Sequence, residues 1–248
     1  MNQLYFIHIG KCSGTTIRSL FNLQVCHLRK PNPRPNQRIL IWVRNPFSRM
    51  VSAFNYQKAI VEFDVDLHTV DEIKKLSLAP VPLIRKKLAG RKYLFNQEFD
   101  TLMSHFRCHN HLFESLSSSN LQDRSLAQRL ISLTTEHFHK GIGWYLDNGR
   151  FVERHRHNIL FVGRTEHIEE DVAAFFKVIG REHVSAPKRR SSKGKSSISL
   201  SATAITNLSE LFERSEFKAL KVLKEQGLLP AETFRSYLQP GTDCPSAG

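Results

Sequence analysis

Tyr5-Phe6-Ile7-His8-Ile9-Gly10-Lys11-Cys12-Ser13-Gly14-Thr15-Thr16-Ile17-Arg18-Ser19-Leu20-Phe21 is the stretch from which the fold is read. The apolar run Leu4 to Ile9 has the character of a strand buried on both faces, and Gly10 to Gly14 follows as a small, polar turn. Ile17, Leu20 and Phe21 then fall at helical spacing, so the unit is strand, loop, helix, with the loop at the helix N-terminus.

The same unit recurs. Ile39 to Val43 is a second buried strand, Asn45 and Pro46 suit an N-cap and first helical residue, and Phe47, Met50, Val51, Phe54 and Lys58 share one stripe. Ile159 to Val162 is a third, followed by a helical stripe of Ile168, Val172, Phe175, Phe176 and Ile179 that stops at Gly180. Leu200 to Leu223 returns to helical spacing through Ile205, Leu208, Leu211, Phe212, Leu220 and Leu223. Repeated units of this kind predict an α/β fold: a parallel β-sheet flanked by helices, with ligands bound at the carboxyl ends of the strands. The expected organisation is a single domain over 1–248, with a helical insertion at roughly 62–149 and C-terminal helices over 200–226. Pro80 and Pro82 break the pattern of that insertion, and its elements are not placed by periodicity.

Lys and Arg number 36 against 23 Asp and Glu, a net charge of +13, which calls for an anionic partner such as a nucleotide, an acidic polysaccharide, nucleic acid or a membrane surface. Nucleic acid fits least, because the chain has neither a recognition-helix nor an aromatic RNA motif. The four cysteines (Cys12, Cys26, Cys108, Cys244) are irregularly spaced, which argues against a disulfide framework or a zinc ribbon and for a reducing compartment. With no leader pattern after Met1 and no apolar run long enough for a bilayer, the expectation is a soluble, cytoplasmic protein without a membrane span.

Gly10, Lys11, Cys12, Ser13, Gly14, Thr15 and Thr16 place backbone N–H groups, a cation and hydroxyls at a helix start, the ingredients of an anion cradle. Lys11 precedes Gly14, whereas the nucleotide-triphosphatase loop carries its lysine after the last glycine, which weakens a kinase or ATPase reading. The segment Phe6 to Ser19 resembles the 5′-phosphosulfate loop of the sulfotransferases, with Cys12 and Ser13 at its two variable small positions. Val43-Arg44-Asn45-Pro46-Phe47-Ser48-Arg49-Met50-Val51-Ser52 resembles the 3′-phosphate motif of the same family. Phe161 to Asp171 resembles the later strand and helix of the carbohydrate sulfotransferases, its acids read as N-terminal helix charges.

The resemblance implies a sulfotransferase that uses 3′-phosphoadenosine 5′-phosphosulfate as donor and sulfates a hydroxyl of a carbohydrate-like acceptor, with no metal. It assigns the 5′-phosphosulfate to Lys11, Cys12, Ser13, Gly14, Thr15 and Thr16, and the 3′-phosphate to Arg44 and Ser52. Arg49 either assists or pairs with a carboxylate. Arg189, Arg190 and Lys193, in the segment Lys188 to Lys193, stand where the family closes a basic loop over the nucleotide, and a solvated linker is the other reading. Lys11 is the expected leaving-group stabiliser and His27, between the two motifs, the first choice of base. His105 and His109, clustered with His111, are the alternative bases, and Glu62 and Asp64 also remain. A rival reading takes Cys12 and Arg18, five residues apart, as the nucleophile and phosphate-binding arginine of a cysteine phosphatase.

Overall fold

A computed structural model describes residues 4–21, 23–65, 97–133, 137–182 and 199–240. Four strands, β1 (Leu4–Ile7), β2 (Gln24–Cys26), β3 (Arg38–Val43) and β4 (Ile159–Arg164), form one all-parallel sheet in the order β2-β1-β3-β4. Phe6 stands opposite Val25 on one side and Leu40 on the other, and Trp42 opposite Gly163. The central pair carries the apolar runs, and Phe6, Ile7 and Ile39 to Val43 are fully buried. β4, expected to be a buried strand, is an edge among the described residues, and Phe161 and Val162 are half-buried. β2 was not expected at all; it is the opposite edge, only three residues long.

One face of the sheet is covered by α1 (Gly14–Leu20) and by a helix over Ile168–Val178, here α8. Phe6, Leu40 and Trp42 pack there against Ile17 and Phe21 of the α1 segment and Val172, Phe175 and Phe176 of the other helix. The Phe21 and Phe175 rings meet edge to face at 5.1 Å. Burying each such side chain contributes about 1.5–3 kcal/mol. Gly180 ends the second helix as predicted, at φ 65°, and the Arg181 N–H donates back to Phe176 O at 3.0 Å.

The helix after β3, α2, spans Pro46–Val65. Asn45 caps it: its Oδ1 accepts from the N–H of Phe47 at 3.0 Å and of Ser48 at 3.2 Å, and Pro46 takes the first helical place. Phe47, Met50, Val51 and Phe54 are buried along its stripe, and Lys58 at the end of the stripe donates to Met103 O at 3.3 Å.

The chain divides into two compact units, 1–53 with 134–248, and 54–133. The second holds α3 (Gln97–His105), α4 (His109–Ser115) and α5 (Leu121–Ser132) around Phe99, Phe106, Leu112, Phe113 and Leu130. In the first, α6 (Ile142–Tyr145) and α7 (Arg150–His155) precede β4, and α9 (Ala202–Glu213), α10 (Glu216–Glu225) and α11 (Ala231–Tyr237) close the unit. The long periodic run from Leu200 is therefore two helices, broken at Arg214 and Ser215. Buried Arg49 explains the join: its Nη2 pairs with Glu216 Oε1 at 3.2 Å at the start of α10, while Nη1 donates to His137 O at 2.7 Å. Glu216 Oε2 accepts from the N–H of Gly143. Arg49 is thus a structural partner of a carboxylate, the second of the two roles expected for it. Among the described residues, no helix is long and apolar enough to cross a membrane.

Candidate functional site

All four strands end on the same side, as a parallel sheet requires, and each delivers polar residues there. β1 is followed by His8 and the Lys11 loop, β2 by His27, β3 by Arg44 and Asn45, and β4 by Thr165 and Glu166.

The loop takes its shape from two left-handed residues, Lys11 at φ 68° and Ser13 at φ 53°. Ser13 sits at the N-cap of α1 and provides no side-chain cap. Thr15 is exposed and Thr16 partly so. Cys12, between the two left-handed residues, points inward: it is fully buried, and its N–H donates to Ile9 O at 3.3 Å. Burial pushes its thiol up to about 12. The phosphate-facing role expected of Cys12 is therefore corrected, since neither its side chain nor its N–H is presented to a ligand, and a thiolate there lacks solvation. Arg18, the other half of the phosphatase reading, is exposed on α1.

Arg44 reaches across from β3, and its Nη1 donates to Lys11 O at 3.3 Å. Burial foremost, and then the Arg44 charge, lower the Lys11 ammonium from its ordinary value to about 8. Two like charges that act on each other in a partly desolvated setting favour an anion beside them. Ser52 is half-buried one turn beyond Ser48 on α2, on the same helix face.

Three histidines crowd the loop. The His8 ring lies over Gly14, where an added Cβ would come within 1.7 Å of it, and the His137 ring lies over Gly10, with Nδ1 2.5 Å from an added Cβ. Both glycines are required by this close approach. His8 stacks on His27 with centroids 4.1 Å apart and planes 18° apart. Burial, then the proximity of His27 and Arg18, push His8 down to about 3. Burial, then Lys11, His27, Arg49 and His8, do the same to His137. His27 Nδ1 lies 2.8 Å from His8 O, which can only accept, so Nδ1 carries the proton of the neutral ring and Nε2 the lone pair. Tyr145 Oη, 3.4 Å from the same Nδ1, accepts from the N–H of Leu28 at 2.9 Å and steadies this arrangement.

Beside His27, Lys30 and Lys140 flank the Trp144 ring at 4.5 and 5.4 Å from its centroid. Lys140 Nζ also donates to Leu28 O at 3.2 Å, which holds this aromatic and cationic group next to the histidine.

On the far edge, Glu166 Oε1 accepts from the Asn45 N–H at 2.9 Å and Oε2 from the Tyr237 hydroxyl at 2.5 Å. Asp171 is, as expected, an acid in the first turn of α8, and it is also buried and paired with Arg164, with Nη2 to Oδ1 at 2.6 Å and Nε to Oδ2 at 2.9 Å. The acids here lock the β3 and β4 ends.

Of the predicted site residues, the fold gathers Lys11, Ser13, Gly14, Thr15, Thr16, His27 and Arg44 at one end of the sheet. His105 and His109 belong to the second unit, on α3 and α4. Arg189, Arg190 and Lys193 lie outside the described residues, as do the side chains of Glu62 and Asp64. His8, the polar member of an otherwise apolar strand run, had a sequence signal for a site role; His137 and Trp144 had none. No protein-family model, curated protein or solved structure matches the chain.

Proposed function

We propose that the chain is a sulfotransferase that takes the sulfuryl group of 3′-phosphoadenosine 5′-phosphosulfate to a hydroxyl of a carbohydrate-like acceptor. The observation that carries this is the meeting of the Lys11 loop with Arg44 at the ends of adjacent parallel strands, because one nucleotide with phosphates at both 5′ and 3′ positions needs two cationic groups side by side. In this reading Lys11, with the N–H groups of Gly14 to Thr16, takes the 5′-phosphosulfate and neutralises the leaving oxygen. Arg44, with Ser52, takes the 3′-phosphate.

His27 is the base. Its Nε2 carries the lone pair because Nδ1–H is committed to His8 O, and a neutral imidazole in that tautomer accepts the proton of an incoming hydroxyl. Lys30 and Lys140, held at the Trp144 ring next to His27, offer cations of the kind an anionic sugar acceptor uses. Buried Cys12, with its thiol raised to about 12, gives the phosphatase alternative no support.

The test is a thermal-shift and calorimetric titration with adenosine 3′,5′-bisphosphate. Saturation to a hundredfold its dissociation constant should add roughly 2.7 kcal/mol of stability, and one site should be seen. Failure of the bisphosphate to bind, with inorganic phosphate or nucleic acid binding as well or better, would end this reading.

A further inference from the structure

We propose that His105, His111 and Asp123 hold a divalent cation of the zinc class, with water completing its shell, and that the ion pins the ends of α3, α4 and α5 together. The three residues each offer one ligand atom, and these atoms lie within 4.8 Å of one another. They come from the last residue of α3, the first turn of α4 and the first turn of α5. His105 and His111 are near neighbours in sequence, but Asp123 joins them only through the packing of these helices. None of the three belongs to the sheet-end site, and the proposal does not depend on the transferase reading.

The geometry is prepared without an ion. Phe106, fully buried, holds both imidazoles edge to face, with centroids 4.9 Å from His105 and 5.4 Å from His111, and so fixes the two rings 5.8 Å apart. Asn120 caps α5 through the N–H groups of Gln122 at 2.9 Å and Asp123 at 3.3 Å, which fixes the backbone that carries Asp123. His105 Nε2–H donates to Asp123 Oδ1 at 2.9 Å, since the carboxylate oxygen accepts. His111 Nδ1 accepts a long 3.3 Å bond from the Arg107 N–H, so the neutral ring keeps its lone pair on that nitrogen.

A zinc ion at about 2.0–2.1 Å from each donor needs donor atoms about 3.4 Å apart, which small side-chain rotations reach from the present spacing. The ion then replaces the His105–Asp123 hydrogen bond and the long Arg107 contact. Two imidazoles and one carboxylate suit zinc, cobalt or nickel and disfavour calcium or magnesium, which require more oxygen ligands. The side chains of His105 and Asp123 are 34% and 27% exposed, which leaves an entry path and room for the water.

The full chain, stripped with chelator and titrated with Co²⁺, should bind one equivalent with the intense visible absorption of a four-coordinate site, and Zn²⁺ should bleach it. His111→Ala leaves the His105–Asp123 pair intact and should weaken binding by at least about tenfold; Asp123→Asn should do likewise, while His157→Ala, at an exposed histidine elsewhere, should change nothing. X-ray absorption of the zinc-loaded wild-type chain should report two imidazoles among nitrogen and oxygen ligands, a readout that needs no variant to fold. Absence of stoichiometric binding, wild-type affinity in both ligand variants, or a shell containing sulfur or only oxygen would each overturn the proposal.

Discussion

Acid should unfold this protein through two histidines that the sheet-end site keeps neutral. His8 and His137 both lie near 3 in the fold, against an ordinary value of 6.5, and burial is the largest cause for each. A depressed value means the unfolded chain binds protons that the folded chain refuses. The stability is therefore complete above about pH 6.5 and is lost progressively as pH falls toward 3. Per group the slope is about 1.4 kcal/mol per pH unit, so at pH 5 each histidine removes about 2 kcal/mol and the pair about 4 kcal/mol. That is a large part of the 5–15 kcal/mol typical of a folded domain. Urea unfolding at pH 7, 6 and 5 should show the midpoint falling with an uptake of about two protons, at nearly constant m-value. His8→Gln and His137→Gln, which titrate with nothing in this range, should each flatten the slope by about one proton. Equal stability at pH 7 and pH 5, or ring resonances of both histidines titrating near 6.5 in the native protein, would refute the argument.

If the proposed transferase function holds, Lys11→Ala should lower sulfuryl-transfer turnover by about a hundredfold or more, measured as labelled-sulfate transfer, because the charge proposed for the leaving oxygen is lost. Since Lys11 sits near 8 in the fold, below its ordinary 10.5, its charge fades as pH rises past 8; calorimetric affinity for the bisphosphate should weaken by up to about tenfold per pH unit above that point in the wild type and stay flat in Lys11→Ala. Cys12→Ser should leave transfer largely intact, and a robust phosphatase activity abolished by that change would reverse the assignment. Arg44→Ala should weaken the 3′-phosphorylated donor roughly tenfold or more, from a lost contact of about 1.5 to 3 kcal/mol, while hardly touching its 3′-dephospho analogue; Ser52→Ala should do the same less strongly, and equal losses for both ligands would make Arg44 a support of the fold. Glu216→Gln leaves the buried Arg49 charge without its counter-charge and should destabilise the fold by about 3–5 kcal/mol in urea unfolding.

What could be read in the sequence divides from what could not along the line between local and non-local causes. The β1 run, the Asn45 cap with Pro46 behind it, and the Gly180 stop are each decided within a few residues, and the structure keeps all three. β2 has no such local cause: three residues become a strand because β1 offers them an unpaired edge. His137 reaches Gly10 across more than a hundred residues, and Asp123 meets His105 only once α3 and α5 have packed, so spacing alone could not join either pair. Asp171 stands in the first turn as read, but its pairing with Arg164 was not legible for the same reason, since that partner is fixed by where β4 ends. Cys12 fails differently. A motif gives order along the chain but not direction, and between the left-handed turns at Lys11 and Ser13 the intervening residue is sent into the core. The loop's chemistry therefore depends on a backbone conformation that no side-chain pattern encodes, and this is why the two glycines beneath His8 and His137 matter as much to the site as the lysine between them.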